Sequence, residues 1–203
     1  MCCNRGKRSI AIDLKHARAA EILDQLLESA DVVMHNMRYP AAIKLGIDYD
    51  TLKERFPRLV YCHTRGFEHG PREGHPGNDQ TGACLAGVEW EDGGCGRGGR
   101  PMWSLTNMGD TGNGFLAAIA ICQALYEREK TGRGQRVLAA MQDGVLNLCR
   151  VKLRDQQRLA HGPLKEYPQY PNGKFGEATP RAGNASGGGQ PGWIVKCKGW
   201  ETD

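Results

Sequence analysis

Between residues 8 and 63, short apolar runs alternate with amphipathic stretches, and this pattern constrains the fold more than anything else in the chain. Arg8 to Leu14 alternates apolar and polar residues and ends in a charge, as a strand does. His16 to Ser29 places Ala19, Ile22, Leu23, Leu26 and Leu27 on one helical face. Asp31 to His35 is a short apolar strand, Tyr49 to Phe56 a helix closed by Pro57, and Arg58 to His63 a further strand. Strand, helix, strand, helix, strand is the order that builds a parallel sheet with crossover helices. The expected fold class is therefore α/β. Ligands of such sheets bind beyond the carboxyl ends of the strands. Those ends are Asp13 to Lys15, His35 to Arg38 and Thr64 to Phe67.

The rest of the chain is looser. Residues 68–102 form a long polar connection in which only Thr81 to Gly87 reads as helix. A connection of that length is usually functional or mobile. A helix is expected from about Thr111 to Glu129, stopped at Thr131 to Gly134. A strand over Gln135–Ala140 and a helix over Met141–Leu159 follow, the latter with Val145, Leu148, Cys149 and Leu153 on one side. Residues 161–192 are a second long loop, and Trp193 to Lys198 opens another strand.

One carboxylate stands out in this layout. Asp110 lies among Gly109, Gly112 and Gly114, just before the apolar run Phe115 to Tyr126. Glycines allow unusual backbone angles and the close approach of a ligand. Asp, Thr and Asn start helices, so Asp110 is expected at a helix N-terminus, beside unpaired N–H groups. It is either a simple cap or an ionised nucleophile, and spacing alone leaves both open. Gly187 to Gly189 lie between Asn184 and Gln190 and read equally as a linker or as a mobile lid with exposed N–H groups.

Several chemistries are excluded or disfavoured. The net charge of +4 is mild and spread out, which does not indicate nucleic acid but suits an anionic small ligand. No apolar run is long enough to span a bilayer, and the basic N-terminus lacks a signal-type core, so a cytoplasmic protein is expected. The eight cysteines show no C-x-x-C or zinc-type spacing and are expected to be reduced, most of them buried. His35, His63, His69 and His75 lack metal-ligand spacing and read as surface or satisfied loop residues, so no metal is expected. Gly94, Gly96 and Gly99 fit a dinucleotide pattern but have no strand-to-helix setting. Gly187 to Gly189 lack the Lys of a phosphate loop. No G-x-S-x-G occurs, and neither Cys84 nor Cys95 has a nucleophile signature. Lys15, Arg38, Lys44 and Arg65 are possible phosphate contacts.

The stretches Lys7–Lys15, Ala30–Asn36, Leu45–Ile47, Gly109–Asp110, Gly132–Val137 and Met141–Leu148 together resemble the class III CoA-transferases, the CaiB–BaiF family. The later stretches Arg150–Leu159, Gly183–Trp193 and Lys196–Trp200 are most similar to its subgroup acting on formyl-CoA and oxalate. The resemblance implies a Rossmann-like parallel sheet with flanking helices over 1–160. It further implies a linker with a glycine-rich lid over 161–192, and the start of a second small domain over 193–203. It implies that Asp110 is a nucleophile that attacks an acyl-CoA thioester, with covalent anhydride and thioester intermediates.

By the same resemblance Ile12, Asp13, Leu14, Lys15, Asn36, Met37, Arg38 and Lys44 hold CoA, with Lys44 in place of an arginine. Gly187, Gly188, Gly189 and Gln190 form the lid, with Ser186 where the oxalate subgroup has a further glycine. Asn78 or a neighbour stands where that subgroup has a tyrosine beside the nucleophile. No permanently bound cofactor is implied; acyl-CoA and a small carboxylate are the substrates. The family's full chains are about twice this long and form interlocked homodimers, so this chain is expected to be a piece of such an enzyme. The other readings are a racemase-like relative, with Asp110 as acid or base at an α-carbon, and an inactive CoA-binding fragment.

Overall fold

The computed structural model describes residues 4–89, 100–103 and 107–149. In chain order these form α1 (Ala19–Ser29), β1 (Val32–His35), α2 (Tyr39–Lys44), α3 (Tyr49–Arg55), β2 (Val60–Arg65), α4 (Asp79–Ala86), α5 (Met108–Thr131), β3 (Arg136–Ala140) and α6 (Met141–Leu148). The sheet has the order β1-β2-β3. β1 and β2 are parallel, with Val32 opposite Val60 and His35 opposite His63. This is the expected α/β architecture of a parallel sheet with helices. The expected elements from 150 onward, including the lid and the strand at 193–198, lie outside the described residues.

The chain divides into two compact units. The first comprises Met1–His63 with Ile119–Val137, and the second Thr64–Ala118 with Leu138–Asp203. The first unit is built on a core of Leu27, Leu52, Leu59 and Tyr61, with Ala30, Val33, Ile47, Tyr49 and Phe56 packed around it. β2 is the central strand, and Val60 to Thr64 are all buried. Asp48 caps α3 by accepting from the Thr51 N–H at 3.1 Å. α5 is stopped by Gly132, whose φ of +73° is a left-handed conformation available to glycine and whose N–H returns to Arg128 O. Gly134 then passes so near Leu59 O that a side chain would collide with that carbonyl. Arg128 is 8% exposed and donates to Asp31 Oδ1 at 2.8 Å and Arg58 O at 3.2 Å.

Two expectations for this unit are corrected, and one element is new. Arg8 to Leu14 form no strand, and residues 4–11 are all exposed. A strand needs a neighbouring edge to pair with, and none of the described strands lies beside this run. α1 starts at Ala19, not at His16. The side chains of Asp13 and His16 accept from the N–H groups of Lys15 and Arg18, a turn that competes with helix. The six-residue α2 was not foreseen from the sequence; Pro40 sits in its first turn, where a missing N–H costs nothing.

The second unit gathers α4, α6 and the start of α5 around Ala83, Val88 and Val145, with Ala86, Met108 and Cys149 against them. α4 packs on α6. At Gly82 a Cβ would lie 3.3 Å from Met141 Cβ, so the small residue sets how closely the two helices approach. The connection from β2 to α4 folds back on itself. Gly66 and Gly77 touch backbone to backbone, with no room for a side chain on either.

Candidate active site

Asp110 is the third residue of α5 and is exposed. The helix is entered through Asn107, whose φ of +46° is one that Asn tolerates better than most residues. The Asn107 carbonyl accepts from the Thr111 N–H at 2.9 Å. Asp110 is therefore in the first turn, as expected, but it is not the cap. Its own N–H is satisfied from another element: Asp79 Oδ1 accepts it at 2.9 Å. Asp79 is 5% exposed, so a buried carboxylate does the capping and leaves the Asp110 side chain exposed.

The glycines around Asp110 serve a different purpose from the expected one. None of Gly109, Gly112 and Gly114 has a positive φ. A Cβ on Gly109 would lie 2.9 Å from Asp79 Oδ1 and 3.1 Å from Asp79 Cα. A Cβ on Gly112 would meet Leu148 at 3.4 Å, and one on Gly144 of α6 would sit 3.1 Å from the Asn113 amide nitrogen. Gly109 and Gly144 thus let α4 and α6 press against the turn that carries Asp110. Of the three around Asp110, Gly114 has open space around it.

Asn78 is the cap of α4: its Oδ1 accepts from Thr81 N–H at 2.9 Å and from Thr81 Oγ1 at 2.7 Å. It immediately precedes the Asp79 that holds Asp110. The structure therefore brings Asn78 and Asp110 into one framework through Asp79, a residue that sequence reasoning passed over. Asp79 and Asp110 are 31 residues apart, and no local pattern links them. Nearby, burial and then Glu68 raise the Asp143 carboxyl, opposed by Arg65. Cys84 donates to Glu89 Oε2 at 3.1 Å, and that bond raises its thiol.

The candidate CoA segments belong to the first unit. Asn36, Met37 and Arg38 follow the carboxyl end of β1, as expected, with Asn36 and Arg38 exposed and Met37 half-buried. The Met37 N–H donates to His35 Nδ1 at 3.2 Å, and its carbonyl accepts from His63 Nε2 at 2.8 Å. Since Nδ1 of His35 accepts, its proton is on Nε2, which donates to Tyr61 Oη at 2.6 Å. The two imidazoles stack with centroids 4.7 Å apart. Burial, and then the proximity of His63, lowers the His35 pKa to about 4, and burial pushes the Tyr61 phenol up. Lys44 is exposed in the last turn of α2. Ile12 and Leu14 are half-buried, whereas Asp13 and Lys15 are exposed in the turn that replaces the expected strand.

The remaining expectations are sorted by this geometry. His35 and His63 are neither surface nor loop residues; they are a packed cross-strand pair. Arg65 is not available to a phosphate, because its side chain is 9% exposed and bonded to Glu73 at 2.6 Å. Cys62 is buried, Cys149 half-buried, and Cys84 and Cys122 exposed, so burial is not the rule among the described cysteines. Among the described residues no group of three metal-ligating side chains occurs, and no helix is long and apolar enough to cross a membrane. Gly187, Gly188, Gly189 and Gln190 lie outside the described residues.

Comparison with known proteins supplies the context for these residues. The formyl-CoA:oxalate CoA-transferase of Rhodopseudomonas palustris strain HaA2 is 50% identical over 201 residues, covering 98% of this chain and 47% of its own length. The protein of the same name from Afipia carboxidovorans is 47% identical over the same span. This chain thus spans about half the length of the curated relatives it matches. A CaiB/BaiF family protein from Brucella suis superposes with a TM-score of 0.75 at 31% identity, over 91% of this chain and 44% of that one. The Mycobacterium tuberculosis protein Rv3272 does so with a TM-score of 0.69 at 31% identity, over 76% and 43%. The profile of CoA-transferase family III matches residues 1–183. The chain belongs to CoA-transferase family III.

Proposed function

We propose that this chain carries the nucleophile and the CoA-holding segments of a CoA-transferase. The enzyme moves CoA from an acyl-CoA, formyl-CoA in the first place, to a small carboxylic acid, oxalate in the first place. The observation that carries this reading is the 50% identity, across 98% of the chain, to a relative bearing that name. The Asp110 carboxylate adds to the thioester carbon, the C–S bond breaks, and CoA leaves as the thiolate, giving a mixed anhydride. The thiolate attacks the Asp110 carbonyl and frees the first acid, leaving an aspartyl thioester. The acceptor carboxylate then displaces CoA from Asp110, and the thiolate takes the acceptor acyl group, which regenerates the Asp110 carboxylate.

The geometry suits the first step. Asp110 is exposed in the first turn of a long helix, where the positive end of the helix dipole favours an anionic side chain. Asn36 to Arg38, with Lys44 and the turn Ile12 to Lys15, are the proposed CoA contacts, and Asn78 a proposed substrate neighbour. Gly187 to Gly189 with Gln190 would shield the anhydride from water. We further assign residues 1–160 to the catalytic domain, 161–192 to the lid-bearing linker and 193–203 to the start of a small domain. Acyl-CoA and carboxylates are the partners, in a cytoplasmic homodimer with no permanently bound cofactor.

The test is thioester exchange from formyl-CoA to a panel of acids, by this chain alone and joined to the additional length its relatives carry. Asp110→Ala should lower transfer roughly 10⁴-fold while CoA binding persists. Mass spectrometry of the working enzyme should find acyl or CoA adducts on Asp110. Near-normal transfer by Asp110→Ala would reject the nucleophile. α-Proton exchange without any adduct would favour the racemase chemistry.

A further inference from the structure

We propose that His35 and His63 form a clamp on the Met37 peptide that presets the Asn36–Arg38 loop for the CoA moiety, making both histidines positioning residues. The proposal rests on the reading of that loop as a CoA contact. His35 ends β1 and lies in register opposite His63 of β2. The stack between them is therefore set by the sheet itself, at 4.7 Å between centroids and 29° between planes. Each ring then takes one polar group of the same residue: His35 Nδ1 receives the Met37 N–H, and His63 Nε2 donates to the Met37 carbonyl.

The rings are themselves fixed. The Met37 N–H requires the His35 tautomer whose Nδ1 accepts, and Tyr61 Oη, accepting from Nε2 at 2.6 Å, holds the other end of that ring. Tyr39 lies against His63, with centroids 5.7 Å apart. His63 is 2% exposed, and the bond it makes is shielded from water.

The result is a loop whose middle residue is tied at both its N–H and its C=O, while the two flanking residues, Asn36 and Arg38, stay exposed. Binding a ligand to a mobile loop costs the entropy of ordering it, and a loop ordered in advance avoids that cost. For one backbone residue the saving corresponds to about tenfold in affinity. Two histidines that merely filled a core would stabilise the fold without affecting affinity per folded molecule.

Titration calorimetry with coenzyme A separates these roles. His63→Leu should weaken binding about tenfold and speed exchange of the Met37 amide by a similar factor, whereas His63→Gln, which keeps an N–H donor at that reach, should restore both. If His63→Leu folds poorly, His35→Leu removes the acceptor for the Met37 N–H from a half-buried ring and should show the same loss. Wild-type protein that does not bind coenzyme A overturns the CoA reading of the loop and the clamp with it. Wild-type binding with His63→Leu or His35→Leu within about twofold of it overturns the clamp alone.

Discussion

The two places where this chain holds its proposed chemistry are built by different means. The Asn36–Arg38 loop in the first unit is held by directional polar contacts, with two imidazoles bonded to the N–H and the carbonyl of Met37. The Asp110 turn in the second unit is held mainly by shape. Gly109 of α5 and Gly144 of α6 each face a neighbouring backbone 3.1 Å from where a Cβ would lie, and one carboxylate, Asp79, completes the turn. Polar clamps are sensitive to protonation. Glycine contacts are indifferent to pH but intolerant of any added atom. The two sites should therefore fail under different perturbations.

The largest effect is expected where shape does the holding. Gly144→Val would place a branched side chain against the Asn113 amide nitrogen, 3.1 Å from where even a Cβ would lie. The obstacle is helical backbone, which cannot rotate away, so α5 and α6 must separate. Overpacking of this kind costs about 2–3 kcal/mol. Urea unfolding should show that loss equally at pH 5 and pH 7.5. A variant within about 0.5 kcal/mol of wild type would mean that the Asp110 turn is not held by packing.

The next effect is a pH dependence that belongs to the first unit. The His35 pKa is lowered to about 4 by burial and then by His63, against 6.5 for a free imidazole. Among the groups facing the ring are Tyr61 Oη, the Met37 N–H and the stacked His63. Between those two pH values the unfolded chain takes up a proton that the folded ring refuses. The stabilisation is thus complete above pH 6.5 and is lost as pH falls toward 4. The full interval corresponds to about 3 kcal/mol, and nearer 2 for a half-buried ring. Wild type should therefore lose stability over that window, and His35→Leu should lose about 2 kcal/mol less of it. Parallel curves for the two proteins would remove the distinction between the units.

This division also explains what could be read in the sequence. The apolar runs that became β1, β2 and β3, and the amphipathic stretch of α3, are local signals, and periodicity finds them. Asp110 was legible because an acidic residue before a long apolar helix marks a first turn. Arg8 to Leu14 has the same alternation, yet it forms no strand, because alternation says nothing about whether a pairing edge exists. The contacts that fix the two sites join Asp79 to Asp110, Gly112 to Gly144 and His63 to Met37. Each pair is more than 20 residues apart in the chain and carries no mark until the fold brings it together. The glycines were seen, but the partner backbones that explain them were not.

The smallest effect tests whether every polar contact of the first unit matters as the clamp does. Arg128 of α5 reaches Asp31 Oδ1 at 2.8 Å, and the pair looks like an ionic tether from α5 to the start of β1. The two ends differ sharply: the Arg128 side chain is 9% exposed and that of Asp31 is 75% exposed. The guanidinium also donates to backbone carbonyls, Arg58 O at 3.2 Å and Asp31 O at 3.4 Å. Replacing the carboxylate leaves those acceptors in place, so the arginine is not stranded without partners. A solvent-facing carboxylate of this sort contributes about 0.5 kcal/mol, and less in high salt. Asp31→Ala should therefore shift the urea midpoint barely, with the difference vanishing near 1 M salt. A loss above about 2 kcal/mol that persists in salt would place Arg128 in the same class as the imidazole clamp, held by its charge partner and not by the backbone.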